Sequence, residues 1–240
     1  MSRNKIIFLV ALSILALMLF FVLIETINII NQAGQVEIQN NNNNNNYQQN
    51  IEISSKQSGD PLITPGSVLY DVLLKESDPI AGNKNSELRI IEFGDFQCIY
   101  CEQMYKTLVN IMSEYQKDIW LVWKDFPNPV HTEAMRSAIA ARCAQNQGKF
   151  WEYHNYLFEN QDNLSRELYN KIALELQLNL AEFNKCLDGK ETASLVGDGL
   201  VDGQNIGVDA TPYLIIGNSV YNYALTDEEL RRVVKDKLGK

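Results

Sequence analysis

Phe93-Gly94-Asp95-Phe96-Gln97-Cys98-Ile99-Tyr100-Cys101 is the stretch on which the fold turns. Ahead of it, Ile90, Ile91 and Phe93 make a β-branched and aromatic run that reads as a buried strand. Gly94-Asp95 breaks that run, and two cysteines follow at once. After Cys101, apolar residues recur at Met104, Tyr105, Leu108, Ile111, Met112 and Tyr115. That spacing predicts an amphipathic helix with one buried face. The stretch is therefore strand, turn and helix, with two thiols where the helix begins.

Residues i and i+3 of a helix share a face about 5–6 Å apart, so Cys98 and Cys101 can close on each other. Unpaired amides and the positive end of the helix dipole favour a thiolate over a thiol. Cys98 should therefore ionise more readily than a free cysteine and act as the nucleophile. Cys101 lies one turn in, is better shielded, and is the natural resolving thiol. The bland alternative is an inert stapling disulfide. Closing so short a loop stabilises little, because the effect grows with loop length.

Further along, Ile119–Lys124 reads as a second strand. From His131 to about Asn205 the pattern is helical, with segments at 131–147, 150–158, 165–177, 180–187 and 190–205. Tyr213–Ile216 and Ser219–Tyr223 flank Gly217-Asn218 and read as a hairpin. Thr226-Asp227-Glu228-Glu229 is a capping box opening a final helix. The order is β-α-β, a helical block over about 128–206, then β-β-α. This is an α/β fold with a helical insertion between two halves of one small sheet.

Toward the N-terminus the composition changes. Arg3 and Lys5, in a cytoplasmic segment 1–5, precede an apolar run at 6–24. As a helix, 19 residues span about 28 Å, close to the hydrocarbon core of a bilayer. We read the run as an uncleaved transmembrane anchor, a cleaved signal peptide being the alternative. The positive flank keeps the N-terminus inside and places the rest of the chain outside the cytoplasm, bound to the membrane through its own anchor. Residues 25–64, with an unbroken asparagine run at Asn40–Asn46, read as a flexible linker to a domain at 65–240. The net charge of −9 argues against nucleic acid. Four cysteines outside the cytoplasm lean toward disulfides. No nucleotide loop or metal cluster is legible, and no cofactor is expected. Asn163-Leu164-Ser165 fits a glycosylation acceptor, a triplet common by chance.

Glu92-Phe93-x-Asp95-Phe96-Gln97-Cys98-x-Tyr100-Cys101 resembles the active-site block of DsbA-like thiol–disulfide oxidoreductases, a thioredoxin-fold family with a helical insertion. Arg142-Cys143-Ala144 through His154 resembles that family's insert, and Gly207–Tyr213 its cis-proline loop. The resemblance implies that Cys98 is the nucleophile, Cys101 the resolving cysteine and Pro212 the cis-proline beside them. It implies that Thr211 offers its backbone to an extended substrate, with Ile99 and Tyr100 on the docking surface. Glu92 resembles a buried acid that exchanges protons with the resolving thiol; an outward-facing glutamate is the alternative. Lys124 is its candidate charge partner. Ile99 departs from the family, where proline or glycine is usual, and this leaves the redox potential open.

The resemblance also pairs Cys143 with Cys186 as a structural disulfide, against a second redox pair or a zinc site. Among the histidines, His154 is expected to be structural and His131 to lie at the surface. The implied function is introduction of disulfides into exported polypeptides with free cysteines, with re-oxidation by a quinone-linked membrane partner. A reductase or isomerase, or a non-catalytic peptide-binding module, are the rivals.

Overall fold

The computed structural model describes residues 74–240. The segments expected at 1–5, 6–24 and 25–64 lie outside them. Among the described residues, no helix is long and apolar enough to cross a membrane.

Five strands form one sheet: β1 (Ile80–Gly82), β2 (Leu88–Gly94), β3 (Ile119–Asp125), β4 (Tyr213–Ile216) and β5 (Ser219–Tyr221), in the order β1-β3-β2-β4-β5. β2 and β3 run parallel, joined by α1 (Ile99–Glu114), and the other pairings are antiparallel. Between β3 and β4 the chain makes α2 (Ala134–Gln145), α3 (Phe150–Glu159), a 3₁₀ turn (Gln161–Asn163), α4 (Arg166–Glu175), α5 (Leu180–Leu187) and α6 (Lys190–Asn205). The chain closes with α7 (Asp227–Lys237). From β2 onward this is the β-α-β, helical block, β-β-α order expected from the sequence.

β1 was not expected. Three residues are too few to show a period, and Ile80–Gly82 becomes a strand only because β3 lies beside it. The helical pattern from His131 begins in the structure at Ala134, because a turn bonds His131 N–H to the Asn128 carbonyl at 3.0 Å first.

Strand alternation sorts the sheet's side chains. Ile90, Leu121, Leu214 and Ile216 face α1 and α7, packing with Met104, Leu108, Ile111, Leu230 and Val234. Ile91, Phe93, Val122 and Ile215 build the core on the other face. The inserted helices have their own core, including Tyr153, Leu157, Phe158, Tyr169 and Phe183, and it reaches Phe96, Cys101 and Trp123. Motif and insert are thus packed as one body. At their junction β2 must end in glycine: a Cβ on Gly94 would lie 2.3 Å from the Trp123 ring. That ring instead stacks on Phe96, with centroids 4.9 Å apart.

α7 has the expected cap. Thr226 Oγ1 accepts from Glu229 N–H at 3.3 Å, and Thr226 N–H donates to Glu229 Oε2 at 2.9 Å.

Candidate active site

Cys98 is the N-cap of α1, and its carbonyl accepts from the amides of Cys101 (3.0 Å) and Glu102 (3.2 Å). No side chain caps this end, so the helix presents its first amides to the thiol region. Both cysteines carry free thiols. Both cysteines are buried, but Cys98 keeps 7% of its surface and Cys101 none, an asymmetry that leaves Cys98 the nearer to solvent. Ile99 and Tyr100 between them are 51% and 58% exposed, two apolar side chains on the rim.

The two thiols ionise very differently. Cys98 is pulled down to about 5, chiefly by a hydrogen bond from the Cys101 thiol and then, against the opposing effect of burial, by the Thr211 side chain and the amides of Cys101 and Tyr100. Cys101 is pushed well above an ordinary thiol, first by burial, then because it donates to Cys98 and faces the charges of Cys98 and Glu92. The Asp95 N–H, 3.5 Å from Cys101 Sγ, pulls the other way.

The Thr211–Pro212 bond is cis, and the Thr211 carbonyl lies 3.3 Å from Cys98 Sγ. That carbonyl accepts from the protonated thiol; a thiolate would turn to the amides instead. The sequence-predicted Cys98, Cys101, Thr211 and Pro212 therefore share one site. Beside it, a cleft of about 210 Å³ runs between the loop after β3 and the loop before β4, lined by Pro127, Asn128, Pro129, Leu200, Ala210 and Thr211.

Glu92 lies in β2 with 1% of its surface exposed, so the outward-facing alternative does not hold. Burial first, then the charge of Cys98, lifts its carboxyl to about 8. It lines a cavity of about 230 Å³ between α1, α3 and the sheet, together with Tyr105, Leu108, Met112, Trp151 and His154. Among the described residues, neither Glu92 Oε1 nor His154 Nε2 has a hydrogen-bond partner. His154 is buried among the rings of Phe96, Tyr105, Trp123, Phe150 and Phe158, and burial lowers its imidazole to about 4.

One expectation needs correction. Lys124 is not the partner of Glu92. Glu92 pairs in register with Trp123, and Lys124 with Phe93, so the two side chains leave opposite faces of the sheet. Lys124 is buried instead between Asp78 (2.6 Å) and Asp202 (3.0 Å), tying the segment before β1 and helix α6 to the sheet. His131, expected at the surface, keeps 30% of its side chain exposed, and its Nδ1 lies 2.7 Å from Asp95 Oδ2.

Sequence reasoning also missed the supports of the motif loop. Gln161 Nε2 donates to the carbonyls of Phe96 and Cys98, both at 2.9 Å, and Glu133 N–H donates to Gln97 Oε1 at 2.7 Å. Both come from beyond β3 and carry no local signal. Asp95 does carry one: an aspartate accepting from the amide two residues on is a common turn device, seen here as Gln97 N–H to Oδ1 at 2.8 Å. Cys143 and Cys186 are joined by a disulfide linking α2 to α5, Cα atoms 5.7 Å apart.

Comparison with known proteins agrees with this architecture. Among solved structures, the thiol-disulfide exchange protein alpha-DsbA2 of Wolbachia pipientis is similar at a TM-score of 0.64, with 20% identity, over 71% of this chain and 93% of that one. Oxidised BdbD of Bacillus subtilis gives 0.61 and 19% over 69% and 95%. The catalytic domain of Proteus mirabilis ScsC gives 0.63 and 20% over 71% and 95%. At such identities the likeness is one of fold. Among curated proteins, a Na(+)/H(+) antiporter NhaA 1 of Mycolicibacterium gilvum is 28% identical over 144 residues, 59% of this chain but 23% of that protein. One from Salinispora arenicola is 29% identical over 161 residues, 66% of this chain and 24% of that protein. The chain thus spans about a quarter of the length of these curated relatives. The thioredoxin family model matches residues 74–236, well over half of the chain and nearly all of the described residues, and on that match the chain belongs to the thioredoxin family.

Proposed function

We propose that this chain is an extracytoplasmic thiol–disulfide oxidoreductase that introduces disulfides into exported polypeptides. The observation that carries the reading is the asymmetric pair at the start of α1: Cys98 nearer to solvent and readily ionised, Cys101 sheltered and held protonated. Reactivity in thiol exchange follows thiolate fraction and access, and a good leaving thiol is one of low pKa.

In the oxidised protein, a substrate thiolate attacks Cys98 Sγ. The Cys98–Cys101 bond breaks and Cys101 leaves with the electron pair, taking a proton from neutral Glu92. A second substrate thiolate attacks the substrate sulfur of the mixed disulfide, and Cys98 leaves as the stabilised thiolate. The substrate is oxidised by two electrons and the chain is left as the dithiol. Depression of the Cys98 pKa favours that dithiol, which makes the disulfide form oxidising. A docked segment would lie along Thr211 and over Ile99 and Tyr100. The apolar run at 6–24 and the linker at 25–64 would tether the domain outside the cytoplasm near a re-oxidising, quinone-linked membrane partner.

Cys101→Ala tests the reading in cells. It should trap mixed disulfides with exported proteins on Cys98, and their absence would leave only a peptide-binding role. The reduction potential tests the direction: a value near about −270 mV, that of thioredoxin, would indicate a reductase, and one well above it an oxidase.

A further inference from the structure

Asp95 takes no part in the exchange steps, yet its peptide frames both sulfurs. Its N–H faces Cys101 Sγ at 3.5 Å, and its carbonyl accepts from Cys98 N–H at 3.1 Å. Its carboxylate is buried and held by three donors: Gln97 N–H on Oδ1 at 2.8 Å, Asn128 N–H on Oδ2 at 2.9 Å, and His131 Nδ1 on Oδ2 at 2.7 Å. The first bond is local. The other two reach across from the loop after β3, which also walls the cleft beside Thr211. His131 supplies the one side chain in this set, and that side chain keeps 30% of its surface exposed.

We propose that Asp95 and His131 are a positioning pair for the dithiol: His131 holds the Asp95 carboxylate in place, and the Asp95 peptide in turn holds its N–H on the Cys101 sulfur. The proposal rests on the redox reading above. A buried carboxylate that loses a donor turns toward water or takes up a proton. Either change moves the peptide, because one residue carries both groups. An amide aimed at sulfur favours the thiolate. Cys101 needs that form to resolve a mixed disulfide: it passes its proton to the Glu92 carboxylate, its thiolate attacks Cys98 Sγ, the Cys98–Cys101 bond forms, and the partner leaves as a thiolate with the electron pair. A disulfide sulfur is a poorer acceptor than a thiol sulfur, so the same amide also favours the reduced chain over the disulfide, by less than it favours the thiolate.

The test uses the full chain with glutathione bound to Cys98 as a mixed disulfide. Two quantities are measured: the rate at which it resolves to Cys98–Cys101, and the equilibrium with glutathione. His131→Leu keeps bulk but removes the donor. It should slow resolution about fivefold, the effect of one lost hydrogen bond, and shift the equilibrium toward the protein disulfide by a smaller factor, since the reduced chain holds Cys101 as a thiol. His131→Asn places an amide N–H near the Nδ1 position and should return both quantities to within about twofold of wild type. Asp95→Asn, which loses the charge and keeps the shape, should also slow resolution, and it carries the test if His131→Leu does not fold. Resolution by His131→Leu or Asp95→Asn at the wild-type rate with an unmoved equilibrium overturns the proposal, as does His131→Asn behaving like His131→Leu. A wild-type chain that does not exchange with glutathione disulfide overturns the redox reading, and this proposal with it.

Discussion

Cys98 and Cys101 are three residues apart, sit in one helical turn and carry free thiols; Cys143 and Cys186 are 43 apart, sit in two helices and are joined. Both pairs are within disulfide reach, so proximity does not distinguish them. Their surroundings do. The first pair lies at a helix start with no side-chain cap, beside a buried acid and a rim of exposed apolar residues. The second closes a long loop, with Cys143 buried among the apolar residues of the insert. A bond that closes a long loop is worth most as a constraint on the unfolded chain, and one that closes a short loop is worth most as chemistry.

The sharpest way to break this comparison is to remove one sulfur from each pair. Cys98→Ser should lower exchange with a small disulfide by about 1,000-fold or more, since a hydroxyl cannot replace the nucleophile, while the melting temperature changes little. Comparable activity in Cys98→Ser would move the chemistry to the other pair. Cys143→Ser with Cys186→Ser should do the reverse. The chain-entropy model gives a loss of about 4 kcal/mol for that loop, read as a fall in the denaturation midpoint. Exchange at Cys98 should stay within about twofold of wild type.

A gentler probe uses pH. In the reduced chain Cys98 is lowered from 9.0 to about 5, so the folded form binds fewer protons than the unfolded form between those values. Stability from this source is complete above about pH 9 and is lost as pH falls toward 5. Glu92 acts oppositely: lifted from 4.5 to about 8, it makes the folded form bind more protons, and stability falls as pH rises through that window. Burial raises Glu92 in both redox forms, while Cys98 titrates, and adds its charge beside Glu92, only in the reduced one. Denaturation of both forms across pH 5 to 9 should show the reduced chain gaining on the disulfide chain as pH rises. A constant gap would mean that Cys98 is not perturbed.

The smallest expected effect concerns His154. Lowered from 6.5 to about 4, it leaves the unfolded chain binding more protons between those values, so stability drops as pH falls through them. His154→Phe should soften that drop by about 2.5 kcal/mol near pH 4.5, as read from urea midpoints. An unchanged acid slope would show that the imidazole has another way to hold its proton.

Much of this molecule was legible from local pattern. The helix after Cys98 and the Thr226–Glu229 cap depend on residues a few positions apart and formed where their pattern lay, while the break expected at Gly94-Asp95 and the ends of the insert's helices fell within a few residues of it. β1 was illegible because its three residues are strand-like only when paired with β3. Lys124 misled because closeness in strand number says nothing about face until the register places Glu92 opposite Trp123. Gln161 and His131 were invisible as supports of the motif because their partners lie 63 and 36 residues away.

Sequence by itself determined where the candidate site lies: two thiols at helical spacing, placed where a strand ends and a helix dipole begins, follow from short-range physics. Tertiary structure decided how unequal the two thiols are. Burial raises Cys101 and Glu92, amides and the neighbouring thiol lower Cys98, and the loop that holds them is pinned by Asp95, His131 and Gln161. Ionisation depends on what surrounds a group in space, and those surroundings come from parts of the chain that no local pattern connects.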